Sequence, residues 1–263
     1  MNIIKWLLII IIVLITLVLV VTSVLRRSGD QMYARYDRYA REALSKNFML
    51  QQYPIKAEFQ KIAPWKALKM FQFVVDSQQT DRIARINTID ATLFLCMKMY
   101  TLLLRPNYDY NLPMLSVDII AIPGGKRVYV LEVIDPARIE DANKKAGYDK
   151  MRKWMPEVEK FEQMPTRDWF KDFLADVSIH INAKASDDDV LFDIFKTYID
   201  AYIEMAQNAQ KLNAAQSNMV KSGIEFYVST LLAKGGPAVD VFKKILGPEK
   251  QQEYIRTVMF GIE

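Results

Sequence analysis

Residues 6–25 form an unbroken apolar run, almost entirely Leu, Ile and Val and without a charged side chain. Twenty such residues in a helix rise about 30 Å, the thickness of a bilayer's hydrocarbon core. The pattern predicts one N-terminal transmembrane helix over about 6–25, within a membrane anchor spanning 1–30. A secretory signal peptide is the competing reading, because Val21-Thr22-Ser23 has the small residues of a cleavage site. Its apolar stretch would be about 7–15 residues long, and the length favours the anchor.

Behind the run the pattern changes. Residues 31–43 are polar and aromatic and predict a helix near the membrane surface. Residues 82–104, rich in Ile, Thr, Leu, Phe and Tyr, predict strands, and residues 115–122 and 126–134 predict two clearer ones. Pro123-Gly124-Gly125 supplies a turn between that pair, which should form an antiparallel hairpin. A further strand is expected over 177–182. Asp187, Asp188 and Asp189 then offer N-caps and negative charge for a helix start. Leu191, Phe195, Tyr198, Tyr202, Met205, Ala209 and Leu212 follow at helical spacing. Helices over 214–233 and 237–246 are separated by Gly235-Gly236-Pro237, a stop followed by a proline start. A last helix is expected over 248–260. Strands in the middle with helices around them predict a central antiparallel sheet covered by helices, of the α/β class in the broad sense, in one domain over 31–263.

Charge and composition exclude more than they assign. A formal net charge of +4 is too small to argue for nucleic acid. Lys5 precedes the apolar run, whereas Arg26, Arg27, Arg35, Arg38 and Arg41 follow it, a bias that puts the domain on the cytoplasmic side. The single Cys96 fits a reducing compartment and excludes an intramolecular disulfide. One His and one Cys cannot build a His/Cys metal cluster, and no phosphate-binding loop or dinucleotide fingerprint is present.

Asp118 is the informative residue. Strand alternation places it with Met114, Ser116, Ile120 and Ile122 on one face, although aspartate is depleted in strands. In an apolar setting its pKa would rise and the carboxyl would serve as a proton donor near neutral pH. The other reading is that this face meets solvent, or that Asp118 is satisfied by a structural hydrogen bond, and the pattern alone leaves both open. His180, alternating with apolar neighbours, reads first as a packed or edge histidine and second as a general acid.

The stretch Arg105-Pro106-Asn107-Tyr108-Asp109-Tyr110-Asn111-Leu112-Pro113-Met114-Leu115-Ser116-Val117-Asp118-Ile119-Ile120 resembles the ferredoxin-dependent bilin reductases. Val133-Ile134-Asp135-Pro136 is similar to the end of that family's next strand. Met164-Pro165-Thr166-Arg167-Asp168-Trp169-Phe170, Gly247-Pro248-Glu249, Tyr254 and Met259-Phe260 resemble its C-terminal motifs. The likeness runs in order over about residues 80–262.

The resemblance implies an α/β/α sandwich that holds a linear tetrapyrrole such as biliverdin between the sheet and the C-terminal helices. It implies an oxidoreductase acting on CH–CH groups, with no bound cofactor or metal and with electrons taken singly from reduced ferredoxin. Asp118 then matches the catalytic aspartate, and Thr101, Ser116 and Ile120 are the expected substrate contacts. Thr101 stands where some members carry His and others Asn. Gly235-Gly236-Pro237 stands where several carry an acidic residue, so a second proton donor is missing there, and Asp90 is placed near an upstream acidic position. Lys126, Arg127, Lys144, Lys145, Lys150, Arg152 and Lys153 are a candidate ferredoxin-docking patch. The alternatives are a non-catalytic tetrapyrrole-binding protein and a membrane-anchored scaffold on the same fold.

Overall fold

The computed structural model of the chain describes residues 2–64 and 70–262, less the side chains of residues 2–4, 237 and 238. Positions 1, 65–69 and 263 of the predicted anchor and domain lie outside the described residues. One helix, α1 (Asn2–Asn47), takes the place of the two predicted over 6–25 and 31–43. Ser28-Gly29 is weak helix sequence, yet the helix runs through it. A Cβ on Gly29 would lie 2.6 Å from Lys98 Cβ and 3.2 Å from Ala121 Cβ, so glycine lets α1 press against the sheet.

The two ends of α1 live in different surroundings. The apolar side chains from Trp6 to Leu25 are exposed along its first part, where an 18-residue window reaches a mean hydropathy of 3.3. That is long and apolar enough to cross a bilayer. Past Gly29 the helix enters the core, and Met32, Tyr36, Ala40 and Leu44 recur every fourth residue, all buried.

The described strands form a nine-stranded antiparallel sheet: β1 (Gln51–Gln52), β2 (Lys61–Ile62), β3 (Phe71–Gln79), β4 (Ile83–Leu93), β5 (Met97–Pro106), β6 (Met114–Ile122), β7 (Lys126–Ile134), β8 (Glu162–Gln163) and β9 (Ile179–Lys184). Its order is β1-β3-β4-β5-β6-β7-β9-β8, with β2 also pairing β3. The predicted hairpin over 115–134 is present as β6 and β7, which pair from Met114↔Ile134 to Ile122↔Lys126. The strand β3 has no predicted counterpart, since Val74-Val75 breaks its alternation and polar residues end it.

Between β1 and β2 lies the single turn α2 (Ala57–Gln60), and between β7 and β8 lie α3 (Ala142–Arg152) and α4 (Met155–Val158). The short helix α5 (Asp168–Lys171) precedes β9, and α6 (Asp188–Asn208) follows it. The helix α3 has almost no apolar period to read, because it packs through Gly147. A Cβ there would fall 2.3 Å from Met205 Sδ of α6. Asp187 occupies the N-cap position of α6, but its carboxylate accepts from the Lys184 backbone N–H at 2.9 Å instead of capping the helix. The helix ends four residues before Leu212, because Arg82 Nη1 donates to the carbonyls of Ala206 (2.8 Å) and Ala209 (2.7 Å).

The C-terminal layer comprises α7 (Ala214–Lys234), α8 (Pro237–Leu246), α9 (Pro248–Glu253) and a π-helical segment, Tyr254–Phe260. Two hydrophobic layers result. One packs α1, α3 and α6 on one sheet face, and the other packs α7, α8 and the π-helical segment on the opposite face. This is the antiparallel sheet between helical layers that the sequence predicts.

Tyr36 sits at the centre of the first layer. Its ring lies 4.8 Å from Phe195, 5.1 Å from Phe192 and 6.2 Å from Tyr100. Truncating so buried an aromatic side chain costs about 3–5 kcal/mol. Tyr36→Ala should therefore lower the urea midpoint of the detergent-solubilised chain sharply, whereas Ile10→Ala in the exposed run should leave it unchanged.

Candidate functional site

The alternation of the central strands decides where chemistry can occur. On β6, Leu115, Val117, Ile119 and Ala121 are buried against the α1/α6 layer. Ser116, Asp118 and Ile120 point the other way and remain partly accessible. The strand β7 repeats this, with Tyr129, Leu131 and Val133 sealed and Val128, Val130 and Glu132 accessible, and so does β9 with His180 and Asn182. These are interior strands with helices over both faces. A well-packed sheet centre is sealed on both sides, so these partly accessible side chains set apart the face that the C-terminal helices cover.

Asp118 stands in the middle of that patch. Register places Thr101 of β5 on one side of it and Val130 of β7 on the other. The buried Thr101 hydroxyl donates to Asp118 Oδ1. Burial pushes the carboxyl up to about 6, with Glu132 adding to the rise and the Thr101 hydrogen bond opposing it. A carboxyl in that range holds its proton in weakly acidic solution and gives it up near neutrality. Burial gives Asp118 the raised pKa of the first reading, and the Thr101 hydroxyl gives it the structural hydrogen bond of the second.

Two further titratable groups share the face. His180 Nε2 lies 2.9 Å from Glu132 Oε1, and His180 Nδ1 lies 3.3 Å from Thr166 Oγ1. The carboxylate at Nε2 requires a proton there, so in the neutral ring Nδ1 accepts from Thr166. Both side chains are mostly buried, at 13% and 15% exposure. Glu132 was not singled out from the sequence. Its signal was available, because an acidic residue in Val130-Leu131-Glu132-Val133 has the same strand-interior setting as Asp118. Above the sheet, Tyr227 of α7 is buried, and its phenol is raised well above the usual range by burial and by the Glu132 and Asp118 carboxylates.

The roof is tied down by two polar side chains of the floor. Asn87 Nδ2 donates to the carbonyls of Val258 (3.0 Å) and Met259 (2.7 Å) in the π-helical segment. Arg105 Nε donates to Phe260 O at 2.7 Å, and its Nη2 to Gly261 O at 3.2 Å. A cation is favourable at a helix C-terminus, so Arg105 is accommodated although 3% exposed.

Two expectations are corrected. Asp90 pairs in register with Tyr100 and forms an ion pair with Lys98 on the α1 side, so it lies on the face opposite Asp118. The proposed docking patch is not one surface. Arg127 is fully buried and grips Asp188 with two hydrogen bonds of 2.8 Å. Lys144 is also buried, 2.7 Å from Asp135. Lys145, Lys150 and Arg152 are paired with Asp149, Glu204 and Asp176. At the other sequence-predicted position, Gly235 has φ +73 and a Cβ there would meet Asp240 Oδ1 at 2.7 Å, which explains glycine as the close of α7.

Comparison with known proteins fits this geometry. The model of the ferredoxin-dependent bilin reductase family matches residues 37–261, which leaves the apolar run outside the match. Phycoerythrobilin:ferredoxin oxidoreductase of Gloeobacter violaceus is 21% identical over 245 residues, covering 88% of this chain and 96% of that protein. The protein of the same name from Nostoc punctiforme is 22% identical over 250 residues, covering 90% and 96%. Tomato phytochromobilin synthase, crystallised in complex with biliverdin, shares the fold with a TM-score of 0.75 at 15% identity, over 87% of this chain and 83% of that one. The chain belongs to the ferredoxin-dependent bilin reductase family.

Proposed function

We propose that this protein reduces a biliverdin-like linear tetrapyrrole with electrons from reduced ferredoxin, with Asp118 as the proton donor, and that α1 holds it at a membrane with the domain on the cytoplasmic side. The observation that carries the reading is the partly accessible patch on the central strands, opposite a fully buried face, with a carboxyl of pKa about 6 in its middle. Reducing one carbon–carbon double bond consumes two electrons and two protons, and ferredoxin supplies the electrons one at a time. Asp118 gives one proton to a bilin carbon. The hydrogen-bonded Glu132–His180 pair lies on the same face and is the candidate route for the second. Thr101, Ser116 and Ile120 line the substrate around Asp118, with no other cofactor needed.

Asp118 donates only while protonated, and the sign of the pH dependence follows. Turnover is greatest below about pH 6 and falls as pH rises through the folded-state pKa. Thr101 favours the charged carboxylate through its hydrogen bond, so removing that bond raises the pKa further.

A tetrapyrrole-binding protein without turnover is the second reading. It is favoured by Gly235-Gly236, which offer no side chain where an acid would stand. Anaerobic assay of the detergent-solubilised chain with biliverdin, ferredoxin, its reductase and NADPH separates the two. A reduced bilin is expected on chromatography. Asp118→Asn should bind biliverdin with an unchanged absorption shift and lose about 10²–10⁴-fold in rate. A bound-state spectrum without product in the unmodified chain would establish the binding reading instead. In the same assay Thr101→Val should move the falling limb of the pH–rate profile to higher pH. An unmoved limb would show that Asp118 is not the titrating group.

A further inference from the structure

The end of the domain that faces the apolar run is fixed by contacts of α1. Gly29 packs against Lys98 and Ala121, Arg127 Nη2 donates to Ser28 Oγ at 2.9 Å, and Asp30 lies 3.6 Å from Lys98 Nζ. Lys98 is the second residue of β5, Ala121 the penultimate residue of β6, and Arg127 the second of β7. The tips of the β4–β5 and β6–β7 hairpins therefore stand level with the place where the apolar run of α1 ends. Leu25 precedes Gly29 by four residues, about 6 Å along the helix.

The β4–β5 tip has the wrong chemistry for an ordinary exposed turn. It reads Leu93-Phe94-Leu95-Cys96-Met97, five residues without a charge. Phe94 is 54% exposed, and its ring meets Phe71 edge-on at 4.8 Å. Phe94 and Leu95 both have left-handed backbones, with φ +49 and +70. Turns that need such angles take Gly, Asn or Asp, because other side chains pay for the conformation. Two bulky apolar residues are thus held where polar or glycine residues would suit both the backbone and water better. Exposed basic residues at this end, Arg27, Lys126 and Lys184, add the charge that attracts anionic headgroups.

We propose that the β4–β5 tip is a second membrane contact, with Phe94 and Leu95 entering the interfacial layer of the bilayer that α1 spans. The inference rests on the anchoring role of α1. Apolar and aromatic side chains of interfacial segments sit about 5–10 Å into the headgroup–acyl boundary, a depth within reach of a tip level with the end of the run. Two contacts, unlike one helix, also fix the rotation of the domain about the α1 axis. Asp118 lies four residues from Ile122, the membrane-side end of β6, so the open face is held at a set height above the lipid.

The lone cysteine makes the test direct. The full chain is reconstituted in vesicles of phosphatidylcholine and phosphatidylglycerol, with an environment-sensitive fluorophore on Cys96. A second sample carries the fluorophore at position 23 of a Ser23→Cys, Cys96→Ser chain. Lipids bearing a nitroxide at the headgroup or along the acyl chain report depth by quenching. Quenching at both positions, that at Cys96 chiefly by the headgroup nitroxide, is the expected result. Phe94→Glu should abolish quenching at Cys96 and leave that at position 23. Quenching at position 23 with none at Cys96 overturns the second contact and leaves the anchor standing. Absence of quenching at both positions overturns the two together. Shielding of the Cys96 label by added ferredoxin, without nitroxide quenching, assigns the tip to a protein partner and also overturns the proposal.

Discussion

Tyr36, held edge-on by Phe192 and Phe195 and against Tyr100, joins one long helix to the sheet and to α6. Everything else in the molecule follows from that seam. It seals one face of the sheet so completely that Tyr100, Leu102, Leu115, Val117, Tyr129 and Leu131 are shielded from solvent. Each large apolar side chain buried there contributes about 1.5–3 kcal/mol. With stability concentrated in this layer, the opposite face can leave its central side chains partly uncovered. A sheet with both faces open would lack the burial needed to offset chain entropy.

The open face uses its accessibility selectively. Val130 and Ile120 keep the ground beside Asp118 apolar, which is why burial outweighs the hydrogen bond from Thr101 in setting its proton affinity. The pull of Thr101 keeps the rise moderate, in the range where an acid can both hold and release a proton near neutral pH. Glu132 would oppose ionisation of Asp118 in any case, and its contact with His180 gives that negative charge a partner of its own. Asn87 and Arg105 meanwhile bond to main-chain carbonyls of the roof. They hold the C-terminal segment over the sheet.

Much of this was legible in residue order, and the gaps have physical causes. Alternation in β6 and β7 located the hairpin and put Asp118 on one face with Ser116 and Ile120. The same alternation cannot say which face is covered, because both sides of β6 carry apolar residues. Asp90 shows a related limit. It sits one residue from Ile89, the register partner of Thr101, and in a strand one residue is a change of face. The helix α3 was unreadable because it packs through a glycine and a buried lysine, neither of which enters a hydrophobic period. Charge was the least reliable guide. Arg127 looks in sequence like a surface cation, and in the fold it is a buried clamp between β7 and the start of α6, reaching Ser28 of α1 as well.

That clamp bears on how the two halves of α1 are coupled. A helix that merely tethered a domain would need a flexible joint near residue 30, and sequence of the Ser28-Gly29 kind would provide one. Here the joint is closed from three sides. Gly29 is pressed on β5 and β6, Ser28 is bonded to β7, and Asp30 lies within reach of both Arg26 and Lys98. The apolar run therefore continues into the packed half of α1 through a joint held by β5, β6 and β7. The strands that carry Thr101 and Asp118 on one face touch α1 through Tyr100 and Ala121 on the other. The two-residue period of a strand thus lets one pair of β-strands present an acid on one face and a packing surface to α1 on the other, with no residue serving both.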